Sequence, residues 1–199
     1  AGMLPIMAYE LGRVLISRQQ IDERVGELGH ELAADLQRDL AGEGHDPGSH
    51  PDRVVLVPVL TGAMVFAADL IRKLDLKMSI GVVAVSSYTG QTTTSKGAKL
   101  RGALPNNLAG KHIVIIDDIL DSGQTLGLLR ETIAEQGPAS MRACMLLRKD
   151  VERVVDASAE YVGFDIPNEF VVGYGLDYAE RYRDLPYIGT LDPRVYEDH

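Results

Sequence analysis

Three carboxylates and a small hydroxyl-bearing turn follow directly on an apolar run in HIVIIDDILDSGQTL, His112 to Leu126. Asp117, Asp118 and Asp121 suit work that needs negative charge or a transferable proton: gripping ribose hydroxyls, holding a metal ion, or acting as a general acid or base. Ser122, Gly123, Gln124 and Thr125 suit the opposite need. Their backbone N–H groups and two hydroxyls would stand at the positive end of a helix, where phosphate is stabilised, and Gly123 lets the backbone approach an anion closely. Taken alone, Asp117-Asp118 reads as a solvated strand end and Asp121-Ser122 as a helix N-cap. Adjacent carboxylates beside an apolar run repel each other, however, and a cation or sugar hydroxyls would relieve that cost. The combination favours a phosphorylated sugar.

Hydrophobic periodicity supplies the elements that must position these groups. Ile113 to Ile116 suits a strand buried on both faces, and Leu126, Leu129 and Ile133 recur at helical spacing after it. Val54 to Leu60, Ile80 to Val85 and Ala143 to Leu147 are further buried strands. The first passes through Thr61-Gly62-Ala63 into a helix expected to turn Met64, Ala67, Ala68, Ile71 and Leu74 inward. An amphipathic helix is expected from about Ser17 to Leu40, with Ser17 and Gln20 forming a capping box. Residues 41–52, rich in Gly, Pro and charge, read as a surface loop; His45 and His50 lack further ligands at a usual metal spacing. Alternating buried strands and helices imply an α/β fold with a mostly parallel central sheet flanked by helices. Ligands in such sheets sit at the carboxyl ends of the strands, where Thr61-Gly62, Ser87-Tyr88 and Asp117 to Thr125 all fall.

Between the third and fourth strands lies a long excursion, about 87–111. A mobile lid is expected there, with Tyr88 laid across a ligand to exclude water; a projecting β-hairpin is the alternative. Tyr161 to Phe164 and Phe170 to Tyr174 read as two short strands around a turn, and the tail beyond Thr190 has no usable pattern.

Spacing narrows the chemistry. No GxxxxGK[ST] occurs and no GxGxxG follows a strand, which disfavours P-loop nucleotidases and dinucleotide redox enzymes. A phospho-acceptor receiver would place its paired acids after the first strand. A chain of 199 residues, 45% hydrophobic, suits one domain, 1–199. Its net charge of -9 disfavours broad nucleic-acid or anionic-membrane binding and raises the prior for a small ligand. The single cysteine, Cys144, sits among apolar residues as a core thiol and excludes an intrachain disulfide. With no apolar run near ~18 residues and no basic stretch followed by an apolar core at the start, a cytoplasmic protein is expected.

The segment IIDDILDSGQT resembles the phosphoribosyl-pyrophosphate signature of type I phosphoribosyltransferases. VLTGAMVFAADL (59–70), SSYTG (86–90), LLRKD (146–150) and VGFDIPNEFVVGYGLDYAERYRDLPYIG (162–189) sharpen the likeness to the 6-oxopurine branch, the hypoxanthine-guanine phosphoribosyltransferases. The resemblance spans about Val54 to Gly189 and implies the type I fold, with a small purine-binding hood at about 161–189. It implies transfer of phosphoribosyl from phosphoribosyl pyrophosphate to a 6-oxopurine with Mg²⁺. Asp117 and Asp118 would hold the ribose hydroxyls, directly or through the metal, and Ser122 to Thr125 the 5′-phosphate. Asp121 would face purine N7 as general base or acid. Lys149 would donate to the 6-oxo group, Phe170 would stack on the ring, and the Val171 backbone would meet its pyrimidine edge. Asp177 would ligate a second Mg²⁺; Arg183 and the Thr61-Gly62 turn would hold pyrophosphate, the turn through backbone N–H groups and often a cis peptide. Many relatives carry a basic residue where this chain has Thr61. The resemblance also implies dimers or tetramers. Two rivals stay open: a xanthine/guanine-preferring enzyme, and a phosphoribosyl-pyrophosphate-sensing nucleic-acid-binding regulator on the same fold.

Overall fold

Strands with no polar face to offer water must be covered on both sides, and the sheet is built accordingly. The structure, a computed structural model, describes residues 10–45, 52–87 and 98–196. Its first half contains β1 (Leu11–Ile16), α1 (Arg18–Gly42), β2 (Val54–Leu60), α2 (Met64–Ile71), β3 (Ser79–Ile80), β4 (Val83–Ser87) and β5 (Ala98–Arg101). The second contains β6 (His112–Leu120), α3 (Gln124–Ala134), β7 (Ser140–Lys149), β8 (Tyr161–Ile166), β9 (Val171–Val172), β10 (Ile188–Leu191) and α4 (Pro193–Tyr196). The main sheet runs β5-β4-β2-β6-β7-β8, with β3 also beside β2. All its pairings are parallel except β4 with β5. Alternate residues divide the core: Leu56, Val114, Ile116 and Leu146 pack with α1 and α2, while Val57, Ile113, Ile115 and Met145 pack with α3. The expected α/β architecture is therefore present. A second, antiparallel sheet, β1-β10-β9, lies beside it.

Helix α1 begins as its sequence predicts. The Gln20 N–H donates to Ser17 Oγ at 3.3 Å and the Ser17 N–H donates to Gln20 Oε1 at 2.9 Å, so the capping box closes. Ser17→Ala is expected to cost about 1 kcal/mol of stability through the lost cap; urea unfolding followed by circular dichroism would register it, and an unchanged midpoint would assign the helix start to tertiary packing alone.

Elsewhere tertiary structure overrides the pattern. The strand expected at 80–85 is split, because Gly81 donates to Leu56 O and Pro105 packs against its α-carbon. Helix α2 buries Phe66, Ala67 and Leu70, whereas Met64 is 50% exposed and Ala68 also faces out, so the inward stripe is rotated from the one expected. Of residues 161–189, β8 joins the main sheet and β9 the small one. In the 87–111 excursion, Ser87 pairs with Ala98 in an antiparallel ladder; Tyr88, the proposed lid aromatic, lies outside the described residues. No helix among the described residues is long and apolar enough to cross a membrane.

Candidate active site

The central strand carries its acids further into the sheet than the sequence suggests. β6 runs on to Leu120, pairing Asp117 with Met145 and Ile119 with Leu147, so Asp117 and Asp118 are strand residues. Asp117 is only 7% exposed, and its Oδ1 accepts the Asp118 N–H at 2.9 Å. Burial raises the Asp117 carboxyl well above the ordinary range, and the Asp118 charge adds to the rise; burial raises Asp118 as well. The folded protein thus holds protons that the unfolded chain releases, and stability falls as pH climbs from the ordinary carboxylate range toward the raised values. Without divalent cations, Asp117→Asn is expected to raise Tm at about pH 7.5 and leave it nearly unchanged at about pH 3, below the unfolded aspartate range. An equal shift at both pH values would show that charge burial is not the cause.

Two neighbouring turns converge on this pair. The Leu60-Thr61 peptide after β2 is cis, and Gly62 lies so close to Asp118 that an added Cβ would sit 1.6 Å from its Oδ2. On the other side, Gly123 takes φ +80° and caps α3 without contributing a side chain, while Gln124 N–H reaches Ser122 Oγ only at 3.5 Å. Gly123, rather than Asp121 or Ser122, is therefore the N-cap, and it supplies no side-chain oxygen to the first helical amides. Ser122 O accepts the N–H groups of Val154 and Val155 at 3.1 Å each, which braces the turn from behind. A cleft of about 430 Å³ is lined by Leu60, Gly62, Asp117, Asp118, Asp121, Ser122, Gly123 and Thr125. Gln124 instead lines a groove with Ala98, Gly127 and Val155, which leaves its backbone as its contribution to the turn. Thr61 is exposed and lines neither this cleft nor its neighbour.

That neighbour, about 220 Å³, shares Asp118, Ile119 and Asp121 and adds Lys149, Phe170, Val171, Leu176 and Asp177. Lys149 ends β7 and places Nζ 3.2 Å from Asp121 Oδ2; its side chain is 13% exposed against 51% for Asp121. Asp177 is held on both oxygens, Oδ1 by Arg183 at 2.9 Å and Oδ2 by the Glu180 N–H at 2.8 Å. Arg183 also donates to Gly175 O at 2.7 Å and faces a separate cavity with Arg18, Asp69 and Tyr174, so it borders the site through its ion pair with Asp177 and through the pull of its charge on Asp118. Ile119 and Leu176, apolar walls of the smaller hollow, went unnamed by sequence; nothing in their local pattern separates them from core residues.

Among the described residues no group of three or more His, Cys, Asp or Glu is arranged to hold a metal alone. Mg²⁺ characteristically takes one or two carboxylates and completes its shell with substrate oxygens and water. Asp117, buried, and Asp118, half-buried beside it, both with raised pKa values, fit that role, since a cation would offset their repulsion.

Paired acids at the carboxyl end of a central parallel strand, a glycine-led helix start beside them and a narrow hollow sharing Asp118 and Asp121 suit an α/β enzyme that binds a phosphorylated ligand. The phosphoribosyl transferase domain family matches residues 19–179. The chain is 45% identical over 189 residues to a hypoxanthine-guanine phosphoribosyltransferase of Mycobacterium avium, covering 94% of this chain and 89% of that protein. It is 42% identical over 192 residues to the enzyme of the same description from Bacillus subtilis, covering 96% and 99%. A crystal structure of a hypoxanthine phosphoribosyltransferase from Staphylococcus aureus superimposes with a TM-score of 0.84 at 38% identity, covering 98% of this chain and 99% of that one. The chain therefore belongs to the hypoxanthine-guanine phosphoribosyltransferases.

Proposed function

We propose that this enzyme transfers the phosphoribosyl group of 5-phosphoribosyl 1-pyrophosphate to N9 of hypoxanthine or guanine, giving IMP or GMP and pyrophosphate, in purine salvage. The observation that carries the choice of base is the Lys149–Asp121 pair, a cation 3.2 Å from a carboxylate where the two clefts meet. A 6-oxopurine presents O6 and N7 side by side: Lys149 donates to the oxygen and Asp121 takes the N7 proton as N9 bonds to the sugar. Adenine would set an amino donor against the lysine.

The bond from the anomeric carbon to pyrophosphate breaks through an oxocarbenium-like state, so the protein's work is to position reactants and stabilise departing negative charge. In this reading Ser122 to Thr125 anchor the 5′-phosphate, and Asp117 and Asp118 orient the ribose hydroxyls. Backbone amides of the Thr61-Gly62 turn and Arg183 meet the pyrophosphate, Arg183 after exchanging Asp177 for the ligand. Phe170 stacks on the base and the Val171 backbone meets its edge. Asp117 and Asp118, and at a second position Asp177, would hold Mg²⁺, which would supply charge neutralisation for the leaving pyrophosphate. A cytoplasmic homodimer or homotetramer completes the proposal, and native mass spectrometry reads the assembly.

A pyrophosphate-release assay with hypoxanthine, guanine, xanthine, adenine and uracil, with and without Mg²⁺, tests it. Release with hypoxanthine and guanine alone, dependent on the metal, is expected. Strong release with xanthine would shift the assignment to a xanthine/guanine enzyme, and no release with any base would point to a ligand-sensing regulator.

A further inference from the structure

The tail that shows no pattern in sequence packs directly behind the ring proposed to stack on the base. Tyr196 in α4 lies parallel to Phe170, with ring centroids 5.2 Å apart and planes 27° from each other, and Tyr178 meets Phe170 edge-on at 5.5 Å and 88°. Phe170 lines the smaller hollow, but neither tyrosine does. The two tyrosines therefore contact the ring from outside the ligand space, Tyr196 against its face. The backbone ties the same elements together: Leu191 N–H donates to Phe170 O at 2.9 Å, and Tyr178 Oη donates to Val195 O at 3.2 Å. Asp192 secures the last turn, accepting from Arg194 N–H at 3.0 Å through its side chain and from Val195 N–H at 2.9 Å through its carbonyl. Val195 and Tyr196 in turn rest on a small core of Val172, Tyr182, Leu185 and Leu191, separate from the cores of the main sheet.

A phenylalanine side chain turns about two torsions, and one with an open cavity on one side needs a backstop to stay in a single rotamer. We propose that Tyr196 is a positioning residue for the base: by stacking behind Phe170 it holds that ring in the orientation that receives a purine, so the C-terminal turn sets purine affinity without touching purine. The proposal rests on Phe170 being the stacking residue. A ring fixed before the ligand arrives gains affinity because less freedom is lost on binding.

Steady-state kinetics of Tyr196→Ala, Tyr196→Phe, Phe170→Ala and the double alanine variant test the idea, with thermal unfolding measured in parallel. Tyr196→Ala is expected to raise KM for hypoxanthine roughly 3- to 10-fold, the scale of one aromatic pair. Its kcat and its KM for phosphoribosyl pyrophosphate should stay within about twofold. Tyr196→Phe, which keeps the stacked ring, should restore the parental KM. On the Phe170→Ala background the tyrosine truncation should add nothing further, since its effect passes through that ring. A raised hypoxanthine KM in Phe170→Ala with no change in Tyr196→Ala would overturn the positioning role alone. An undiminished Tyr196→Ala effect on the Phe170→Ala background, or equal losses for both substrates and kcat, would also overturn it, pointing instead to a general structural role. If Phe170→Ala leaves hypoxanthine KM unchanged, the stacking assignment fails and the inference falls with it.

Discussion

Asp121→Asn is expected to keep its affinity for phosphoribosyl pyrophosphate and to lose turnover with hypoxanthine and guanine by on the order of 10²-fold or more, the usual contribution of a positioned general acid or base. Asparagine matches aspartate in size and leaves the β6-α3 turn intact, because the turn is fixed by other contacts: Gly123 at φ +80° and the two amides donated to Ser122 O. What the change removes is the carboxylate that takes the N7 proton, together with the partner of Lys149 Nζ at 3.2 Å. Lys149 is only 13% exposed, so some of the loss will come from a cation left beside an amide. Lys149→Gln separates the two contributions. It should weaken binding of oxopurines while leaving the proton acceptor in place, whereas Asp121→Asn should act mainly on kcat. Calorimetric titration of phosphoribosyl pyrophosphate and single-turnover kinetics would make the distinction, and undiminished turnover in Asp121→Asn would remove Asp121 from the mechanism.

Sequence reveals most where one local pattern does all the positioning. The apolar run 113–116 followed by acids and SGQT is enough to place a strand, a turn and a helix start, and the Ser17-Gln20 box marks the start of α1 to the residue. Where neighbours distant in the chain decide, pattern misleads. The inward stripe of α2 is set by what α1 and the sheet offer it, so Phe66 and Leu70 are buried while Met64 is not. The break at Gly81 depends on Pro105 packing against it from a separate loop. Within the site, the residue types of Asp121 and Lys149 were legible through the resemblance, but their pairing across 28 positions follows only from adjacent parallel strands. The resemblance puts Arg183 at pyrophosphate, whereas the structure commits it to Asp177 and Gly175 O, a competition that sequence does not express. Tyr196 carried no signal because its partner, Phe170, is reached through a sheet that only three-dimensional structure joins.

Gly62→Ala should damage activity severely. The added Cβ would stand 1.6 Å from Asp118 Oδ2 and 2.6 Å from its Cγ, far inside contact distance, so either the carboxylate or the turn must move. Neither has room. Asp118 belongs to a strand whose neighbours Asp117 and Ile119 are both in register with β7. The turn is pressed from the far side by Gly175, where a Cβ would come within 2.3 Å of Gly62 O. A displacement near 1 Å of reactant-positioning groups costs about 10²-fold in rate, and here the groups displaced are those proposed to hold ribose and pyrophosphate. Loss of kcat/KM by about that factor is expected, with a stability cost of about 1–3 kcal/mol from overpacking. Affinity for phosphoribosyl pyrophosphate should fall in step with activity, while circular dichroism stays that of the parent. Gly175→Ala, which crowds the same turn from behind, should share the defect. Activity within a few-fold of the parent in Gly62→Ala would mean that the turn yields freely, and that its tight fit against Asp118 plays no part in catalysis.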